Sequence, residues 1–135
     1  MSFVIDSSVL MSFLLPDEPD DRTLHLLDRL SYDGAFAPVL LKYEIMNALL
    51  AAERRRRVEP SYRLQALAQF QRMPIQFDLP TEPDLWRQVA DLAAKHNLTG
   101  YDASYLALAM RLGVPVATYD REIIAAARSL SVPLF

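Results

Sequence analysis

Cysteine is missing from this 135-residue sequence. Disulfides and thiolate metal sites are thereby excluded, and the absence fits a reducing cytosol. Glycine is nearly as scarce. Gly34, Gly100 and Gly113 are the only three, so the chain has no glycine-rich loop to cradle a phosphate. Histidine is limited to His25 and His96, far apart and among ordinary neighbours of helical patterns, and neither reads as a ligand. No apolar run reaches membrane-spanning length, because Pro16 and the acids after it stop the first one. The start of the chain lacks the basic region and small-residue cleavage site of a signal peptide. These readings predict a cytoplasmic protein with no membrane partner. A broad basic face is lacking too: the formal net charge of −3 argues against an extended phosphate-binding surface, though not against a local basic patch.

What is present is an ordered, slightly apolar chain, 52% hydrophobic and 23% charged, of a length common for one domain over 1–135. Phe3-Val4-Ile5 is a short run of β-formers, the pattern of a strand buried on both faces, and Asp6 follows at its carboxyl end. A helix pattern starts at Ser7 or Ser8 and ends before Pro16. Asp17-Glu18-Pro19-Asp20-Asp21 is a polar break whose last acids cap a second helix, closed at Asp33-Gly34. Ala35-Phe36-Ala37 reads as a strand ending at Pro38, and Val39 to Arg57 as the longest helical stretch. Pro60 opens another helix, Ile75-Gln76-Phe77 is a strand, and Thr81 to Asp84 resembles a capping box for the next helix. A further helix runs from Thr99 to Leu112, stopped by Gly113. Val114 to Thr118 reads as a strand interrupted by Pro115, Asp120 opens the last helix, and Val132 to Leu134 reads as a final strand. Strands alternating with helices predict an α/β fold with a parallel sheet covered on both faces. Trp86 and most Met and Phe residues sit at core spacings.

Four acids stand where acids are rare. Asp6 and Asp120 each follow a short strand and precede a helix, at the edge where open α/β sheets bind ligands. Glu44 is flanked at helical spacing by Leu40, Leu41, Ala48 and Ala51. Asp102 begins a helix that is apolar nearly all round, hence buried. Each has a plain explanation: Asp6 and Asp120 as N-caps, Asp102 as the acid of a capping box with Thr99, Glu44 paired with an arginine. Together they would bring four carboxylates to one sheet edge with little lysine to neutralise them. Such a group repels itself unless protons or cations intervene, and oxygen-only ligands select Mg²⁺ or Mn²⁺ rather than zinc. Carboxylates holding two such cations stabilise the attacking and leaving oxygens of phosphodiester hydrolysis. Ser8, Asn47 and Thr118 lie close to these acids in sequence, where they either orient the carboxylates or a bound water, or serve as local caps.

These residues carry a resemblance. Val4 to Leu10, Tyr43 to Leu49, Leu98 to Ala109 and Val116 to Asp120 resemble, in that order, the motifs of the PIN domain, and within it the VapC ribonuclease toxins of bacterial toxin–antitoxin pairs. The segment Tyr-Asp-Ala-Ser-Tyr-Leu-Ala-Leu-Ala is the most specific part. The resemblance covers essentially the whole chain and implies a three-layer α/β/α sandwich, Mg²⁺-dependent RNA cleavage, a homodimer, and inhibition by a small VapB-type antitoxin. It assigns metal-site and catalytic roles to Asp6, Glu44, Asp102 and Asp120. Some members carry a further acid near the last one. Here Glu122 is the only nearby candidate, and its place within a helix speaks against the role.

Two other readings compete. Arg54 to Arg57 ends the Glu44 helix; a solvated cation cluster at a helix C-terminus is favoured slightly over RNA phosphate contact. In place of an enzyme, the chain could be an inactive PIN-like module that binds RNA or protein, which retention of all four acids opposes. Leu10, Phe13, Leu14, Leu27, Leu64 and Leu67 exceed what peripheral helices need, and part of this set is expected to line a partner groove.

Overall fold

Phe3–Ile5 forms the inner strand β1 of the computed structural model, which describes residues 1–17 and 19–135. Glu18, part of the expected polar break, lies outside the described residues. The three β1 side chains are fully buried, as a strand with neighbours on both sides and helices on both faces requires. β2 (Ala35–Pro38) and β4 (Val116–Ala117) flank it, and β3 (Ile75–Asp78) pairs with β2, giving a parallel sheet of order β3-β2-β1-β4. Val4 pairs with Phe36 on one side and Val116 on the other.

α1 (Ser7–Leu14) and α2 (Asp21–Asp33) connect β1 to β2, and α3 (Leu40–Arg54) and α4 (Pro60–Gln71) connect β2 to β3. Both crossovers step the same way across the sheet, so right-handed connection puts α1 to α4 on one face. A π-helical segment (Asp84–Val89), α5 (Ala90–His96) and α6 (Gly100–Leu112) then carry the chain back to β4, followed by α7 (Arg121–Ser129). That reversal puts them on the opposite face, where α6 packs against β1, β2 and β4. The result is the expected three-layer α/β/α sandwich. The direction of connection reverses between β1 and β4, so the crevice at their carboxyl ends is the topological switch point.

Local chemistry explains the boundaries. Asp20 accepts the Thr23 amide at 2.8 Å to cap α2, and that hydrogen bond holds its carboxyl below the usual range. Gly34 ends α2 at φ +69° and ψ 171°, a conformation open essentially to glycine alone. Thr99 caps α6 by accepting the Asp102 amide at 3.1 Å.

Several expectations need correction. The strand predicted over Val114 to Thr118 is only Val116–Ala117, because Pro115 lacks an N–H and contributes just its carbonyl, to the Val4 amide. The final strand shrinks to one bridge between Leu134 and Val116. Around it Val116 donates to the Pro133 carbonyl, Phe135 donates to the Val116 carbonyl, and the Phe135 ring stacks on Phe3 with centroids 4.4 Å apart. The long helix stops at Arg54 rather than Arg57. Trp86 is not in the core but 68% exposed, since the wide π turn rotates side chains out of the 3.6-residue register on which that expectation rested. Leu10 and Leu14 are buried in the core and line no groove.

Candidate active site

Asp6 sits at the end of β1, in the N-cap position of α1, yet its side chain accepts none of the α1 amides. It is only 3% exposed and is held by hydroxyls instead. Ser8 Oγ and Thr118 Oγ1 each donate to Asp6 Oδ2 at 2.7 Å, and Ser7 Oγ approaches Oδ1 at 3.4 Å. The two main hydroxyls are used twice: Ser8 Oγ accepts the Tyr119 amide at 2.9 Å and Thr118 Oγ1 accepts the Asp120 amide at 3.0 Å. The ends of β1 and β4 are thus laced together across the switch point, and the plain N-cap explanation fails for Asp6.

For Asp120 that explanation holds. Its Oδ1 accepts the Glu122 and Ile123 amides at 2.8 and 3.2 Å, capping α7. Capping also places Glu122 in the first turn of that helix, at the crevice, where Asp102, Asp120 and Glu122 can each offer a carboxylate oxygen within 4.8 Å of the others. The helical setting that spoke against Glu122 is what brings it there. Its signal in the sequence was an acid two residues after a helix-capping Asp.

Glu44 projects from the second turn of α3 and is half-buried. Its partner is not an arginine: Tyr105 on α6 donates its hydroxyl to Glu44 Oε1 at 2.5 Å. Burial raises the Glu44 carboxyl above its usual range, the Tyr105 bond opposes that, and the charges of Asp6 and Asp102 raise it further. Burial also raises Asp102, helped by the charges of Asp120 and Asp6. Burial and the adjoining carboxylate drive the Tyr105 phenol far up, so it remains a donor. Tyr105 is a residue sequence reasoning missed. The signal was a tyrosine within an apolar buried helix, whose hydroxyl must find a partner.

Asn47 lies on the wall of the cleft beside Glu44, with Met11, Leu40, Tyr43 and Tyr101. Among the described residues, every ion pair lies elsewhere: the cations meet Asp33, Asp17, Glu53 and Asp78. Arg54 ends α3 ten residues, or about 15 Å along the helix axis, from Glu44, and Arg55 to Arg57 follow it, all four exposed. Their position favours the solvated cluster.

An α/β/α sandwich with uncompensated carboxylates at its switch point defines a class of acidic-cleft domains. The chain belongs to the PIN domain family, whose model matches residues 3–129. It is 29% identical over 135 residues to Ribonuclease VapC3 of Pyrobaculum aerophilum, across 91% of this chain and 92% of that protein. It is similar to the crystal structure of PAE2754 from the same organism, with TM-score 0.69 and 26% identity over 93% of this chain and 84% of that one. The crystal structure of FitAcB from Neisseria gonorrhoeae matches in fold, with TM-score 0.70 and 18% identity over 100% of this chain and 96% of that one. No helix among the described residues is long and apolar enough to cross a membrane.

Proposed function

We propose that this chain is a VapC-type endoribonuclease toxin that hydrolyses RNA phosphodiester bonds with Mg²⁺, which Mn²⁺ can replace. The observation that carries the reading is the group of carboxylates at the switch point with no cationic side chain paired to them among the described residues. Their donors are all oxygen, and two of them are pushed toward neutrality, so the site suits a hard divalent ion. Asp6, Asp102 and Asp120 would hold it, with Glu44 as a ligand or as the base that orients water; Glu122 joins by position. A bound divalent cation supplies charge neutralisation at the phosphate and acidifies water. Ser8 and Thr118 keep Asp6 in one orientation through two short hydrogen bonds.

Attack by the substrate's own 2′-hydroxyl needs a general base and acid, usually His or Lys. Both histidines lie outside the cleft, as do Lys42 and Lys95. The reading is therefore attack by water, leaving 5′-phosphate and 3′-hydroxyl ends. An RNA oligonucleotide with one 2′-deoxy residue 5′ of the scissile phosphate should still be cut, and cleavage should vanish with EDTA and in Asp6→Asn. Cyclic-phosphate products formed in EDTA would refute it.

The same reading includes a homodimer and a VapB-type antitoxin. A groove of about 420 Å³ lined by Val39, Leu40, Tyr43, Leu85 and Tyr101 carries exposed Leu79 and Trp86 at its edge. A patch bearing both a hole and protruding side chains is what an isologous contact between two copies requires. A separate groove of about 600 Å³ between α3, α4 and β3, with Met46, Leu64, Leu67, Phe70 and Phe77, suits an amphipathic antitoxin segment.

A further inference from the structure

We infer that Tyr105 is a positioning residue of this site: its hydroxyl fixes the carboxylate of Glu44 while bringing no positive charge of its own. The inference rests on the metal-dependent reading given above and adds a residue to it. Tyr105 is completely buried in α6, among Ala103, Leu106 and Leu108, where phenylalanine would satisfy packing alone. Its one polar atom donates to Glu44 Oε1 on α3 at 2.5 Å, within the range of O–H···O hydrogen bonds. The two helices lie in different layers of the sandwich, so this bond ties the layers together at the mouth of the crevice. Only Oε1 is engaged by it. An arginine or lysine in the same place would cancel the negative charge that a cation site needs, whereas a neutral phenol holds the group in one orientation and brings no positive charge of its own. Lone side-chain carboxylates have broad, soft terminal torsions, so a fixed donor is what converts Glu44 from a mobile acid into an aimed one.

The test is a double-mutant cycle on the full chain with Tyr105→Phe and Glu44→Gln, read in two ways. One readout is steady-state cleavage of an RNA oligonucleotide; the other is the Mg²⁺ concentration that half-saturates the thermal shift of the protein without RNA. Tyr105→Phe should raise that Mg²⁺ concentration about tenfold and lower kcat about tenfold with KM within about twofold, the size expected for a group that orients a ligand. In the Glu44→Gln background the same change should alter neither. Loss of melting temperature with unchanged Mg²⁺ half-saturation and kcat, or an equal loss in both backgrounds, overturns the inference. If the wild type cuts no RNA, the proposed function fails, and the Mg²⁺ titration still decides the role of Tyr105. If Tyr105→Phe does not fold, the hydroxyl proton of Tyr105 in wild-type NMR spectra serves instead: it should shift with the Mg²⁺ midpoint, and a resonance blind to Mg²⁺ overturns the inference.

Discussion

Thr118→Val separates the shape of the site from its hydrogen bonds. Thr118 is 1% exposed, and its hydroxyl donates to Asp6 Oδ2 and accepts the Asp120 amide. Valine fills nearly the same space but makes neither bond. Losing a bond to a buried charged group costs about 1.5–3 kcal/mol and losing the bond to the amide about 0.5–1.5 kcal/mol. The additional buried methyl offsets about 0.8 kcal/mol, leaving a net loss of about 1.2–3.7 kcal/mol. For 135 residues the melting temperature falls about 3.5 °C per kcal/mol, so Thr118→Val should melt about 4–13 °C below wild type in EDTA at neutral pH. Thr118→Ser keeps the hydroxyl and removes one methyl, for about 1 kcal/mol or about 3–4 °C. Differential scanning calorimetry of the three proteins decides. A valine variant as stable as wild type, or a serine variant losing as much as valine, refutes the claim that this hydroxyl holds the two strand ends together.

Other outcomes follow from the same geometry. Because Asp102 is raised above its unfolded value, its favourable contribution is full below the unfolded pKa and is lost as pH rises through the folded pKa; Asp102→Asn should therefore raise the melting temperature of the metal-free protein at neutral pH and gain nothing in acid below the ordinary carboxylate range. Added Mg²⁺ should stabilise the wild type more than that variant, and equal shifts would count against a shared site. Asp6→Asn should lower RNA cleavage by at least about 100-fold in a gel assay, with circular dichroism unchanged. Trp86→Glu should be monomeric by light scattering at concentrations where the wild type is a dimer, and equal masses would remove the groove as the contact. Gly34→Ala should cost about 1–3 kcal/mol in urea unfolding, since its φ is +69° and a Cβ would meet the Pro74 carbonyl at 3.3 Å, whereas Gly113→Asn should cost well under about 1 kcal/mol in its left-handed C-terminal position.

The architecture was legible because its signals are local. Phe3-Val4-Ile5, the capping residues Asp20, Thr99 and Asp120, and the stops at Gly34 and Gly113 each act within a few residues, and alternation of strand and helix then leaves few topologies. Where sequence reasoning erred, a longer-range or rarer effect intervened. The π turn at Asp84–Val89 shifted Trp86 out of the expected register, and no period-counting argument anticipates an inserted residue per turn. Pro115 and the lone Leu134 bridge shortened two strands because ladder membership depends on which amides have partners. In the cleft, the positions of Asp6 and Asp120 at strand ends could be read directly. Ser8 and Thr118 are marked by their nearness to Asp6 and Asp120, but the Thr118–Asp6 and Tyr105–Glu44 bonds join residues 112 and 61 positions apart, and pairings of that kind leave no trace in spacing.

The outer edge of β4 has a consequence of its own. That strand is two residues long, and beyond it, among the described residues, the sheet continues as the Leu134 bridge, the two backbone bonds to Pro133 and Phe135, and the Phe3–Phe135 stack. Residues 132–135 therefore act as a clasp over an edge that would otherwise present open N–H and C=O groups to another chain. A clasp of so few bonds opens at lower free energy than the sheet as a whole. Releasing it leaves β4 held from one side only, by its ladder to β1 and by α6. Warming should thus quicken amide exchange at Val116 and Phe135 at temperatures where the β1 amides are still protected.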